Sequence, residues 1–376
     1  MWLSSNSGQL TLGLLCHAAP FSVSICLLTK NFHQEFNSDD EHTLLNLSSS
    51  VCILGSNSFA GATFTKFLLD LGYTVIGVSR SSSSNPTALL LESPLDYAKF
   101  RFEQIDINQD MNKLFALLDQ EKPEFIFDFA GQGMVAESWL NPEQWLQTNL
   151  ISKTRLLEFL VNKSWLSKYV RASTPEVYGS HNSKILETTN YAPTTPYAIT
   201  HAGIDMTLTA YFTRYGFPAV IGRFSNFYGP GQQLYRVIPK TILSVQRGLK
   251  LPLHGGGLSE RSFINSDDIN SALFALADKG NPGEIYNFSS DQLTSIRSLV
   301  EMILLNLGEG FEKNVELVGD RPSKDHKYLM DSKKAKERLS WQAKIPLEEG
   351  LAKTISWFVE HSSKMRGLPL DYVHKP

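Results

Sequence analysis

The sequence predicts an α/β fold: a doubly wound parallel sheet followed by a smaller C-terminal α/β substrate-binding region. Three observations carry that prediction. Short apolar runs at 51–54, 74–78 and 125–129 do not alternate with polar residues, which is the pattern of strands covered on both faces. Amphipathic stretches at 62–71 and 111–118 separate these runs, and strands alternating with helices build parallel sheets. Finally, the first run opens into Gly55-Ser56-Asn57-Ser58-Phe59-Ala60-Gly61 and then a helix.

Each element has a local justification. Val51-Cys52-Ile53-Leu54 is the first strand, and the helix after the glycine turn ends at Gly72, a residue suited to a helix C-terminus. A third strand, Phe102-Glu103-Gln104-Ile105-Asp106-Ile107, precedes the helix at 111–118. Phe125-Ile126-Phe127-Asp128-Phe129-Ala130-Gly131-Gln132 is the next strand and turn, and Gln147-Thr148-Asn149-Leu150 opens a long helix. Tyr169-Val170-Arg171-Ala172-Ser173-Thr174 reads as the fifth strand, and 219–223 as a later one. The expected division is an extension at 1–50, a dinucleotide-binding region at 51–222 that takes later strands from the C-terminal half, and a substrate-binding region at 223–376.

Composition narrows the class. The chain has 376 residues, 42% hydrophobic and 19% charged, with a formal charge of −3. That balance suits an ordinary globular protein and offers no basic field for nucleic acid. Three cysteines, Cys16, Cys26 and Cys52, show no metal-ligand spacing and form no disulfide framework, so no metal and a cytoplasmic location are expected. Residues 10–28 are apolar but broken by His17 and Pro20, and no Lys or Arg precedes Lys30. A membrane span or secretory signal is therefore not expected. The first 50 residues read instead as a loosely ordered extension, or as upstream sequence translated from a misassigned start.

The chemistry-bearing motifs follow the strand ends. A strand, glycine turn, helix and second strand in succession are the context of a dinucleotide fingerprint. Glycines there let the backbone approach a pyrophosphate, and the helix N-terminus offers free N–H groups. The second strand closes on Ser79-Arg80-Ser81-Ser82, with no carboxylate to accept from a ribose 2′-hydroxyl. Arg80 can grip a 2′-phosphate instead, so NADP is the expected cofactor, with NAD as the alternative. Tyr197 and His201 are four residues apart and share one helix face.

Together, Ser173-Thr174-Pro175-Glu176-Val177-Tyr178-Gly179 and Tyr197-Ala198-Ile199-Thr200-His201 resemble the catalytic core of the extended short-chain dehydrogenase/reductases. Within them the chain resembles the NAD(P)-dependent epimerase/dehydratase family acting on nucleotide sugars, with a Rossmann sheet. The resemblance spans roughly residues 51–360 in motif order. It implies cofactor contacts from Gly55, Ser58, Phe59 and Gly61, where Ser58 replaces the middle glycine, and from Ser79, Arg80, Asp106, Ile107, Ala130, Gly131, Tyr197 and His201. By the same resemblance Tyr197 is the base for a sugar C4 hydroxyl, Thr174 hydrogen-bonds that hydroxyl, and Glu176 removes the C5 proton. His201 stands where the family has Lys, and Pro175 where it has Asp or Ser. Since His is mostly neutral at pH 7 to 8, a lysine restored at 201 is expected to raise activity or lower its pH optimum.

The substrate half extends the resemblance. Ser225-Asn226-Phe227-Tyr228-Gly229-Pro230-Gly231, Arg261-Ser262-Phe263 and Asp320-Arg321-Pro322-Ser323-Lys324-Asp325-His326-Lys327-Tyr328 resemble segments of dTDP-glucose 4,6-dehydratases that bind the sugar nucleotide. They imply substrate contacts from Asn226, Arg261, Arg321 and Tyr328, and the resemblance adds Asn149 as a substrate contact that also orders the site. The turn at 79–82 resembles that of GDP-mannose 4,6-dehydratases. The expected function is a nucleotide-sugar 4,6-dehydratase, a lyase that oxidises C4, loses water across C5 and C6 and returns hydride to C6. A 4-epimerase, a reductase, a decarboxylase or a catalytically impaired binding member are the alternatives. The expected partners are a nucleotide-diphosphate sugar and a second copy of the chain as a homodimer.

Overall fold

The computed structural model describes residues 45–82, 87–91, 98–181, 183–319 and 329–375. Among them runs a seven-stranded sheet whose neighbouring strands are all parallel. Its strands are β1 (Val51–Leu54), β2 (Val75–Ser79), β3 (Phe100–Gln104), β4 (Phe125–Asp128), β5 (Lys168–Ser173), β6 (Ala219–Phe224) and β7 (Ile285–Phe288). Their spatial order is β7-β6-β5-β4-β1-β2-β3. The order reverses between β1 and β4, and open α/β sheets hold their ligands at the carboxyl ends of the strands beside such a reversal.

The helices used below are α1 (Phe59–Asp70), α2 (Met111–Glu121), α3 (Ser152–Leu160), α4 (Pro196–Tyr215), α5 (Val237–Gln246), α6 (Ser266–Lys279), α7 (Ile296–Asn306) and α8 (Leu347–Glu360). Side chains of a strand point alternately to opposite faces, and here both faces are covered. Cys52, Leu54, Ile76, Val78 and Ile126 meet Leu114 and Leu118 of α2, Leu156 and Leu160 of α3, and Ile204 and Leu208 of α4. On the other face Phe64 of α1 packs against Phe127 of β4 with ring centroids 4.5 Å apart, and Phe67 meets Phe274 of α6. Burial on both faces explains why the strand sequences lack polar alternation.

A second apolar core lies in the C-terminal half. It gathers Tyr228, Ile238 and Ile242, Leu299 and Ile303 of α7, and Leu351 and Phe358 of α8. The chain passes through this core in part before β7 returns to pair with β6. The segment 226–228, which follows β6 directly, leaves the main sheet and pairs with 263–265, so one wall of the cleft above β5 and β6 is tied to the second core. No helix among the described residues is long and apolar enough to cross a membrane.

Candidate active site

The glycine turn is built by three backbone constraints. Gly55 has φ of +81°, in the left-handed region that glycine enters at little cost. A Cβ on Gly61 would lie 2.2 Å from the Gly55 carbonyl oxygen, so only glycine lets helix and turn close on each other. Ser58 sits at φ −71° and needs no glycine there. Its Oγ accepts from the Gly61 N–H at 3.0 Å and donates to the Gly55 carbonyl at 2.7 Å. Ser58 is thus the N-cap of α1, and this is why the helix starts at Phe59 and not at the expected residue 62.

Beside the turn lies a cavity of about 230 Å³. Gly55, Ser58, Ser79, Arg80, Asp106, Ile107, Ala130 and Gly131 all line it, while Phe59 lines the larger cleft next door. The Ser79 hydroxyl accepts from the Asn57 N–H at 3.0 Å and so ties the turn to the end of β2. Asp106 accepts from the Asn108 N–H at 2.8 Å. Gly131 has its close neighbour too, since a Cβ there would meet Asn149 Oδ1 at 2.8 Å. A cradle beside a helix N-terminus, in which Gly55, Gly61 and Gly131 have no room for a side chain, fits a dinucleotide pyrophosphate. Arg80 donates to the Lys375 carbonyl at 3.0 Å, and Gln132 donates to the same oxygen at 3.0 Å. The C-terminal segment is held across this region by His374, whose ring stacks on Trp145 and bonds Gln144 Oε1 at 2.6 Å.

The larger cleft, about 710 Å³, opens at the carboxyl ends of β5 and β6. Thr174, Glu176, Tyr197, His201, Asn226 and Arg236 all face it. Thr174 caps a short 3₁₀ turn, accepting from the Glu176 N–H at 3.3 Å. Pro175 occupies the first position of that turn, where the missing N–H costs nothing. Thr195 caps α4 in the same way, accepting from Ala198 N at 3.1 Å, and the Tyr197 N–H donates to Ser138 Oγ at 3.2 Å. The Tyr197 phenol is pushed well above its ordinary value by burial and by the Glu176 carboxylate; a hydrogen bond with Thr174 and the charges of Arg236 and Arg171 pull the other way. In the ligand-free site it is protonated at neutral pH.

His201 stacks on Tyr197 with ring centroids 4.4 Å apart. Its Nδ1 lies 3.0 Å from Nη2 of Arg171, and burial, Arg171 and Lys153 together hold its pKa well below the usual histidine value. Beneath this pair lies a buried charge cluster. Asp128 takes Lys153 Nζ on both oxygens at 2.8 and 2.6 Å, the Tyr169 hydroxyl at 2.8 Å, and Arg171 Nη1 at 3.3 Å. Burial opposes its ionisation, yet Lys153 and Arg171 hold its carboxyl below the usual range. Burial pushes Lys153 down to about 7.

Two expectations are corrected by this geometry. Asn149 is fully buried and does not line either cavity. Its Oδ1 accepts from Gln132 N at 2.8 Å, and its Nδ2 donates to the Gln132 carbonyl and to Thr200 Oγ1. It braces the loop after β4 against α4 from a π-helical turn at Gln147–Ile151, and no atom is left for substrate. Arg261 lies on the short strand Glu260–Arg261, donates to the Glu260 carbonyl and is not among the residues lining the cleft. Arg321 and Tyr328 lie outside the described residues. Arg171, Lys153, Gln132 and Arg236 were missed. The signal for the first two was there: charged residues on a strand and a helix face otherwise apolar.

Comparison with known proteins agrees with this geometry. The family model for GDP-mannose 4,6 dehydratase matches residues 52–354. The chain belongs to the GDP-mannose 4,6-dehydratase family. It is 34% identical to the human dTDP-D-glucose 4,6-dehydratase over 277 residues, 72% of this chain and 78% of the human protein. Among solved structures it resembles the dTDP-glucose 4,6-dehydratase of Streptomyces venezuelae, with TM-score 0.78 and 28% identity, covering 85% of this chain and all of that one. It also resembles the UDP-glucose 4-epimerase of Thermotoga maritima, with TM-score 0.76 and 27% identity, over 83% of this chain and 99% of that one. Members of this family and its epimerase neighbours thus share the fold, and the site has to separate the reactions.

Proposed function

We propose that the protein is a nicotinamide-dependent 4,6-dehydratase of a nucleoside-diphosphate hexose. The observation that carries this reading is the convergence of Thr174, Glu176 and Tyr197 on one cleft beside the glycine-turn cavity. An epimerase needs the hydroxyl and the phenol alone; a carboxylate at 176 adds a base for a carbon acid. The S. venezuelae relative was solved with NAD bound, and the cradle here fits a nicotinamide dinucleotide. When bound, that group accepts hydride from C4 and returns it to C6.

The chain's own residues handle the protons. Tyr197, aligned by Thr174, takes the C4 hydroxyl proton as the carbonyl forms. The ketone acidifies C5, and Glu176 removes that proton and delivers it to the departing C6 hydroxyl, so that water leaves. Pro175 has no proton to give, which leaves both duties to Glu176. Hydride returns to C6, C5 gains a proton, and Tyr197 releases the equivalent one it took from the C4 hydroxyl, so the balance closes at one water lost. The phenol, held high by burial and Glu176, yields its proton only once positive charge is brought beside it.

Three finer readings belong to the same proposal. The cofactor is NADP, because Ser79 and Arg80 close β2 with a cation and no carboxylate. Residues 51–222 hold the cofactor and 223–376 the sugar nucleotide, whose diphosphate meets Asn226 and Arg236 at the cleft. Two copies pair through α4 and the helix region before it, where Leu146, Ile151, Ile199 and Met206 are exposed; the pair works in the cytoplasm. The test is incubation with a panel of dTDP-, UDP- and GDP-hexoses, with NADP or NAD, followed by mass spectrometry. Loss of 18 mass units, about one water, supports the proposal. Loss of carbon dioxide, an unchanged mass with an inverted C4, or no reaction each replaces it with one of the alternatives. Sedimentation tests the dimer.

A further inference from the structure

We infer that Arg171 is a positioning residue that fixes His201 as a hydrogen-bond donor to the cofactor and brings the site's positive charge beneath Tyr197. This rests on the dehydratase reading for its consequence in catalysis, but not for its consequence in cofactor binding. The guanidinium carries donors only. Its Nη2 lies 3.0 Å from His201 Nδ1, so that nitrogen accepts and the ring proton sits on Nε2. Both side chains are buried, and His201 lines the cleft. Among the described residues no hydrogen-bond partner of Nε2 is found, so its N–H is presented to the cleft, where a ribose hydroxyl can accept it.

The charge cluster shows that Arg171 is there for His201. Asp128 is already satisfied by Lys153 at 2.6 and 2.8 Å and by Tyr169 at 2.8 Å. Arg171 reaches the same carboxylate at 3.3 Å only, and its Nε has no partner among the described residues. Its shortest contact is the imidazole. The groups facing it are thus Asp128, Lys153, Tyr169 and His201, with Asp205 farther off acting on Lys153. Neutral His201 relays orientation, and Arg171, always charged, supplies a cation that also lowers the Tyr197 phenol. Histidine and arginine together occupy the function that the resemblance assigns to one lysine.

The expectation for His201→Lys therefore reverses: an ammonium placed there faces Arg171 and Lys153 and is repelled. The test uses the full chain as Arg171→Met, Arg171→Lys, His201→Lys and the Arg171→Met/His201→Lys pair. Binding of NADPH and NADH is followed by fluorescence, the imidazole tautomer by ¹⁵N NMR of labelled histidine, and kcat by pH profile. Arg171→Met is expected to weaken cofactor about tenfold, to release the imidazole into mixed tautomers with a pKa that rises but stays depressed by burial, and to move the basic rise of kcat to higher pH. Arg171→Lys keeps the charge and part of the binding. His201→Lys alone loses affinity, and the paired variant regains it. Unchanged tautomer and affinity in Arg171→Met, or full affinity and activity in His201→Lys, would overturn the inference. If Arg171→Met fails to fold, Arg171→Lys and His201→Lys decide the same question. If wild-type protein turns over no sugar nucleotide, the dehydratase reading fails, while the binding and NMR results still judge Arg171.

Discussion

Replacing Asp128 by Asn removes the only carboxylate among the described residues within hydrogen-bond reach of two buried cations, while leaving the shape of the site almost unchanged. Lys153 and Arg171 are each 2% exposed and Asp128 1%. Breaking a buried ion pair by removing one partner costs about 3–5 kcal/mol, because the remaining charge is uncompensated. The cost has a defined pH dependence. In the native protein Lys153 is pushed down to about 7, against about 10.4 in the unfolded chain. Without Asp128 the folded value drops further. Between that lower value and pH 7, the folded variant has shed a proton that both its unfolded chain and the folded wild type retain. The variant's deficit therefore shrinks by ~1.4 kcal/mol per unit as pH rises toward 7. Above pH 7 Lys153 is neutral in both folded proteins and the deficit levels off. Urea unfolding at pH 5.5, 6.5, 7.5 and 8.5, about one unit apart, measures it. A second variant, Asp128→Asn/Lys153→Met, removes the cation too and should recover most of the stability and abolish the slope. A deficit below about 1 kcal/mol, or one equal at every pH, would refute the argument that this cluster is buried and ionised.

The remaining predictions concern the cleft and its cradle. Tyr197→Phe should lower kcat by roughly 10²–10⁴-fold with cofactor affinity retained, read by steady-state rates and fluorescence titration. Glu176→Gln should form the 4-keto sugar without water loss, and mass spectrometry in D₂O should show no deuterium entering C5. Ser58→Ala removes the N-cap of α1 and should cost about 1 kcal/mol of stability, with weaker cofactor binding measured in the same titration. Deleting residues 372–376 frees Arg80 and Gln132 from the Lys375 carbonyl, so stopped-flow fluorescence should show faster cofactor association; a slower one would mean the segment helps to form the site.

The parallel sheet was legible because its signal is local. Strand residues buried on both faces have to be apolar throughout, and Gly55 and Gly61 are required by backbone approaches that no other residue permits. The meeting of Thr174, Glu176 and Tyr197 at one cleft was legible because they sit at element ends whose positions the fold dictates. Asn149 was misplaced for a physical reason: its helix position says where the amide lies, but only the loop at Gly131 and Gln132 says that both amide atoms are consumed there. The Asp128–Lys153–Arg171 cluster was out of reach because its members come from β4, α3 and β5. Each alone is a charged residue in an apolar run; pairing is a property of the sheet.

Three departures from the family's motif look, in one dimension, like the decay of an active site. In three dimensions each departing residue has a local function. Ser58 needs no positive φ, and its hydroxyl closes the turn that a glycine would leave uncapped. Pro175 stands where a helix has no use for an N–H, so the Thr174 cap survives it. His201 meets Arg171 at 3.0 Å. A decayed site loses constraints and leaves its polar groups unmatched; here Ser58 and His201 have partners and Pro175 fits its turn. The partner of His201 is itself costly to bury, and a buried charge cluster replaced as a whole by apolar residues is often no less stable. The presence of Arg171 in the cleft lining beside His201 is therefore better explained by chemistry in the cleft than by the stability of the sheet.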